Sequence, residues 1–126
     1  MIALDANAVM EILVERNRQG NIQTAVAQYS SNTDLGISSL TASHIFYLAE
    51  QQKIPIARAE ALISTYRFYD VQASDVIWAL KQYGGKDFED ALQIAAALRE
   101  GCKTFITLDK KLATKYGKYL NIQLIQ

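Results

Sequence analysis

One cysteine, one proline and one histidine are all that this 126-residue chain holds of three residue types that often anchor a fold or a site. The lone cysteine, Cys102, excludes an internal disulfide, and its apolar setting in EGCKTFIT predicts a buried, inert thiol in a reducing compartment, which points to the cytoplasm. With a single histidine, His44, beside it, the chain offers no recognisable zinc ligand set. The opening MIALDANAVMEILVER has no basic run ahead of its apolar residues and meets acids at Asp5 and Glu11, so neither a signal peptide nor a membrane span is expected. Charge excess is lacking as well: thirteen basic residues face thirteen acidic ones, for a formal net charge of zero. That balance excludes strong non-specific attraction to nucleic acid over the whole surface, so any nucleic-acid site has to be local. The densest basic stretch is Lys103, Lys110, Lys111, Lys115 and Lys118, whose simplest reading is a solvated helix face.

What the chain does have is apolar residues, which make up half of it. A chain of this length buries roughly two-thirds of the surface that its unfolded form exposes. No repeat, low-complexity tract or long polar linker interrupts it, so one domain over 1–126 is expected. Met1 to Leu4 reads as a buried strand that stops at Asp5, followed by a helix from about Ala6 to Arg16 and a second from about Ile22 to Tyr29. Leu35 to Ile37 is a short strand, and Ser38, Ser39 and Thr41 offer N-cap oxygens to a helix carrying Ile45, Leu48 and Ala49. Pro55 suits a first helical position, with helical spacing from Ile56 to Tyr69. Ser74 reads as the cap of a helix reaching about Tyr83. Gly84 and Gly85 break the chain before a helix over Phe88 to Arg99, which Gly101 ends. Lys103 to Thr107 is a strand, Asp109 to Lys115 a short helix, and Ile122 to Ile125 a closing strand. Alternating strands and helices predict an α/β three-layer sandwich, a central mainly parallel sheet flanked by helices.

In such a sheet ligands bind beyond the carboxyl ends of the strands. Asp5 ends the first strand, Asp109 lies two residues past the strand ending at Thr107, and Asp90 stands in the first turn of the helix after the two glycines. The spacing of Asp87 and Asp90 predicts that both face one side of that helix. Each acid alone has a bland reading as an N-cap, most readily Asp87. It is weaker for Asp5, because a carboxylate closing a buried apolar strand has a desolvation cost that a cation or hydrogen bonds must offset. Convergent hard oxygens suit Mg²⁺ or Mn²⁺.

These residues resemble the PIN family over nearly the whole chain. The start, I2-A-L-D-A-N-A-V9, is similar to that family's apolar strand ending in Asp and followed by x-Asn. S38-S-L-T-A-S-H-I-F-Y-L48 resembles its Ser/Thr-rich entry to a main helix, D87-F-E-D-A-L92 its second aspartate site, and T107-L-D109 its Thr-x-Asp. The chain departs from many PIN nucleases at His44, where they carry a glutamate. A bacterial subgroup is similar in that respect and in D-F-E-D-A. Two other α/β readings fail: a haloacid-dehalogenase phosphatase wants D-x-D at the first strand, where Asn7 stands, and a receiver domain wants an acid pair after its first strand.

The resemblance implies a metal-dependent endoribonuclease, with Mg²⁺ or Mn²⁺ held by Asp5, Asp90 and Asp109. It further implies Asp87 orienting a water, Asn7, Thr107, Thr41 and His44 as supporting groups, and Lys110 and Lys111 against RNA. It implies too a toxin paired with an antitoxin protein, and a homodimer. His44 reads as a ligand, a general base, or, most simply, a hydrogen-bonded core residue in line with Leu40, Tyr47 and Leu48. Because it replaces a carboxylate, the alternative is a degenerate PIN domain that binds RNA or protein and cuts nothing.

Overall fold

A computed structural model describes residues 1–28 and 34–126. Five strands form one sheet in the order β3-β2-β1-β4-β5: β1 at Ile2–Leu4, β2 at Leu35–Ser38, β3 at Arg67–Tyr69, β4 at Thr104–Thr107 and β5 at Asn121–Leu124. Every pairing is parallel, so each connection has to cross a face of the sheet, and helices make those crossings. Among the described residues these are α1 (Ala6–Leu13), α2 (Gln19–Ala27), α3 (Ser39–Gln51), α4 (Ile56–Ile63), α5 (Ala73–Gln82), α6 (Phe88–Arg99) and α7 (Lys110–Tyr116). The end expected for the second helix, Tyr29, lies outside the described residues.

Alternation along the strands divides the core in two, since successive side chains point to opposite faces. Ile2 and Leu4 of β1, Ile37 of β2 and Ile106 of β4 pack with Val9, Leu13, Ile22, Ile45 and Ile63 from α1 to α4. Ala3 and Phe105 point the other way, against Ala79, Ile94, Leu112 and Tyr116 of α5, α6 and α7. The result is the expected three-layer sandwich. The inner side of α6 is built from Ala91, Ala95, Ala96 and Ala97, all buried; such small side chains let a helix lie close against its neighbour. Cys102 is buried too, and burial pushes its thiol up from the ordinary range.

Four local expectations are corrected. The helix expected over 56–69 stops at Ile63, and Arg67–Tyr69 is an edge strand beside β2. Tyr66 keeps the helical spacing, yet it follows a turn in which its N–H donates to the Ile63 carbonyl at 3.0 Å, and the aromatic and β-branched run from Thr65 to Tyr69 suits a pleated strand. Helix α1 ends at Leu13 because Glu15 adopts the left-handed conformation, φ 54°. Its N–H donates to Ile12 O at 3.2 Å and that of Arg16 to Glu11 O at 2.9 Å. This is the Schellman pattern with glutamate where glycine is usual, at a strain of roughly 1 kcal/mol. Pro55 occupies the N-cap of α4, one residue earlier than its first position. Ser74 does not cap α5; Gln72 does, and the Asp75 carboxylate accepts its N–H at 2.8 Å in a capping box.

Asp75 is only 2% exposed, and its two oxygens share the Nε–H of Arg99, at 3.0 and 3.1 Å. Arg99 also donates to the Asp70 carbonyl, so this pair ties α6 to the loop before α5. Removing the guanidinium would strand a buried carboxylate. Arg99→Met is therefore expected to cost about 3 kcal/mol in urea unfolding, and Asp75→Asn in the same chain to recover most of that loss.

Candidate acidic site at the switch point of the sheet

From β1 the chain moves outward to β2 and β3, whereas β4 and β5 lie on the other side of β1. The loops leaving β1 and β4 therefore diverge and open a crevice between them. Asp5 follows β1 directly and Asp109 stands two residues past β4. The ladder continues through this point, with the Asp5 N–H donating to the Ile106 carbonyl at 2.9 Å. That bond brings Asp5 beside Thr107.

The two strand ends are interlocked by side chains. Thr107 Oγ1 donates to Asp5 Oδ2 at 2.7 Å and accepts from the Asp109 N–H at 3.0 Å. Asn7 Nδ2 lies 3.3 Å from both Asp5 Oδ2 and Thr107 Oγ1, while its carbonyl oxygen accepts from the Leu108 N–H at 3.1 Å. Asp5 and Asp109 also serve as N-caps: Asp5 Oδ1 accepts from Ala6 at 2.7 Å, and Asp109 Oδ1 from Lys111 and Leu112 at 2.9 and 3.1 Å. Each aspartate thus commits one oxygen to its helix. The bland reading and the site reading are both present in the same residue.

Asp90, in the first turn of α6, is partly buried, and its carboxyl is pushed up to about 7, first by burial and then by the charges of Asp5, Asp109, Asp87 and Glu89. Asp5 is likewise raised, burial outweighing the hydrogen bonds from Thr107, Ala6 and Gln93 that favour its charged form. Burial is the larger cause of both shifts, and the neighbouring acids add to it. Asp87 departs from expectation. It precedes α6 with a left-handed backbone, φ 60°, and makes no side-chain cap, so the helical-face argument that paired it with Asp90 does not apply. It is exposed, and it reaches Asp90 through its field.

Thr41 joins the site by way of a residue that sequence reasoning missed. Ser38 Oγ caps α3 by accepting the Thr41 N–H at 3.0 Å, and Thr41 Oγ1 donates to Gln93 Oε1 at 2.9 Å. Gln93, itself 5% exposed, stands near enough to Asp5 for its amide to favour the charged carboxylate. The available signal was a lone amide within ALQIAAA, three residues after Asp90 and hence on its face of the helix. His44 is not a buried core residue: its side chain is 42% exposed and its Nδ1 lies 3.9 Å from Glu89. Lys110 and Lys111 are exposed in the first turn of α7. Lys115 bends instead to the carbonyls of Tyr83 and Lys86, bracing the loop that leads to Asp87. The Tyr116 hydroxyl, buried with no hydrogen-bond partner among the described residues, is raised by burial and then by Asp90 and Asp87.

The donor chemistry, several carboxylates with hydroxyl and amide neighbours, fits a hard divalent cation. Among the described residues, no three His, Cys, Asp or Glu side chains already stand together as a ligand set.

Fold and crevice define a parallel α/β domain with an acidic mouth at its switch point. The chain belongs to the PIN domain family, whose profile matches residues 2–118. Solved structures agree in fold. A VapBC2 complex from Rickettsia felis, bound to a DNA fragment from its promoter, superposes with a TM-score of 0.77 at 15% identity, covering 100% of both chains. A toxin–antitoxin complex from Klebsiella pneumoniae gives 0.74 at 17% identity, over 98% of this chain and 96% of the other. VapC20 of Mycobacterium tuberculosis, a toxin that cleaves the sarcin-ricin loop, gives 0.71 at 17% identity, over 90% and 94%. No curated protein matches the chain in sequence.

A carboxyl that holds its proton more tightly folded than unfolded stabilises the fold at acid pH, and that contribution is lost as pH rises through the folded value. Asp90 sits at about 7 against an ordinary 3.8, and Asp5 shifts the same way. In EDTA, the urea midpoint of the wild type is expected to fall from about pH 4 to about pH 7.5 relative to that of Asp90→Asn, which lacks this term. Parallel pH profiles would show that neither burial nor its neighbours raise the Asp90 carboxyl in the folded chain.

Proposed function

We propose that this chain is a metal-dependent endoribonuclease, the toxin of a toxin–antitoxin pair, hydrolysing phosphodiester bonds in RNA in the cytoplasm. The observation that carries this reading is the interlock of Asp5 and Asp109 through Thr107 at the crevice where the strand order reverses, with Asp90 on the neighbouring helix close enough to feel both. Membership of the PIN family and the toxins among its structural neighbours support it. Asp5, Asp90 and Asp109 would hold Mg²⁺ or Mn²⁺, which when bound supplies Lewis acidity to the phosphodiester and its attacking water. The chain's own groups do the rest. Thr107, Asn7 and Gln93 hold Asp5 in one orientation, Asp87 orients a water at the rim, and Lys110 and Lys111 draw the RNA backbone toward Asp109. The exposed face of α5, with Ile77 and Leu80 at 57% and 58% exposure, suits a second copy of the chain, and an antitoxin keeps the site silent.

A second reading has an observation of its own. His44 turns to Glu89, and the described acids do not yet form a ligand set, as in a PIN domain that binds RNA or protein without cutting.

The two readings separate in one experiment. The nuclease is expected to cut a panel of single-stranded and structured RNAs with Mg²⁺ or Mn²⁺, and EDTA or Asp90→Asn to abolish cutting. Asn7→Ala is expected to weaken calorimetric Mn²⁺ affinity by about 10–100-fold. No cutting together with no Mn²⁺ binding would establish the binding module instead.

A further inference from the structure

We propose that the groove between the end of α1 and α3 is a subsite for the phosphate backbone of single-stranded RNA, held by Arg16 and Arg18; this rests on the ribonuclease reading. The groove encloses about 340 Å³ and is lined by Asn7, Glu11, Arg16, Arg18, His44 and Leu108, among others. Asn7 is the side chain that also binds Asp5, so the groove runs up to the side chain beside Asp5.

Its charge is built rather than incidental. Glu11 is 2% exposed and takes Arg18 Nη2 on Oε1 at 3.0 Å, with the Arg18 N–H 3.4 Å from Oε2. One guanidinium is enough to neutralise that buried carboxylate. Arg16 is the surplus: its Nη1 lies 4.0 Å from the same oxygen, and Nη2 donates to Gln52 Oε1 across the groove at 3.3 Å. The left-handed turn at Glu15 returns the chain over α1, which lets both arginines reach Glu11 from one loop. Their side chains remain 48% and 42% exposed, leaving the planar forks accessible to an oxyanion.

A strand of RNA entering this crevice meets Asp5, Asp90, Asp109 and Asp87, which repel its phosphates. Cations past Asp109, at Lys110 and Lys111, offset that repulsion for one end of the strand. Arg16 and Arg18, past Asn7, do so for the other. The zero net charge of the chain makes such local cations the means by which a polyanion is retained.

The test is fluorescence anisotropy of a labelled oligo-uridine in EDTA over a KCl series, with cleavage in Mn²⁺ followed in parallel. The variants are Arg16→Gln and the double change Glu11→Gln with Arg18→Gln, which removes the buried pair together; thermal melts confirm that both fold. Arg16→Gln is expected to bind several-fold more weakly and to lower the slope of log affinity against log salt by about 0.7, the value for one phosphate contact on a single strand; the double change, which leaves the net charge of the groove as it was, is expected to weaken binding less and to keep most of the slope. Wild-type affinity and slope in Arg16→Gln, with cleavage still abolished by Asp90→Asn, would overturn the subsite and leave the nuclease standing. Failure of the wild type to bind would overturn the subsite, and together with no cleavage of any RNA it would overturn both. An acidic peptide that competes for the groove, with Arg16 needed for the peptide but not for RNA, would assign it to a protein carboxylate and overturn the proposal.

Discussion

The site depends on one hydroxyl. Thr107 donates a hydrogen bond to Asp5 and accepts hydrogen bonds from Asn7 and the Asp109 backbone, joining the ends of two neighbouring strands where the order of the sheet reverses. Without that donor, a carboxylate that is 6% exposed would lack its shortest side-chain partner at the price of desolvation. Valine matches threonine in shape but not in this respect, because its methyl group neither gives nor accepts a proton. The interlock also sets where α1 and α7 begin, since the aspartates it positions are the caps of those helices.

Capping and crowding are in tension here. A helix N-terminus favours negative charge, so each acid is locally welcome; gathered at one mouth, the acids disfavour one another, and Asp90 shows it most. Asp5 and Asp109 resolve part of the tension by dividing their oxygens between helix and crevice. For this reason asparagine is the informative replacement at such positions: it keeps an oxygen for the cap while removing the charge, so a change in the site is not confused with a change in the helix.

Much of this was legible in the sequence because it is local. A buried apolar run stopping at Asp5, two glycines before Phe88, and TFIT followed by Leu-Asp place the strand ends and two of the acids by periodicity and turn chemistry alone. What was not legible depends on partners distant in the chain or on backbone geometry. Tyr66 to Tyr69 obeys a helical pattern until β2 offers an edge to pair with, and the burial of the Asp75 carboxylate makes sense only beside Arg99. Asp87 looked like a helical neighbour of Asp90 because nothing in D-F-E-D announces a left-handed residue. His44 looked like core because its line of apolar neighbours, Leu40, Tyr47 and Leu48, turns out to border an open groove.

The alanine side of α6 has a consequence for how this chain tolerates change over generations. Asp90 and Gln93 are carried to Asp5 by a helix whose buried side is mostly alanine around Ile94, so the distance between helix and sheet is itself part of the charge arrangement. Exchanging one alanine there for valine would register as acids moved apart rather than as a weaker core. Substitution is therefore expected to be tolerated best on outer surfaces such as those of α2 and α4 and least along α6, at positions that carry no functional group at all.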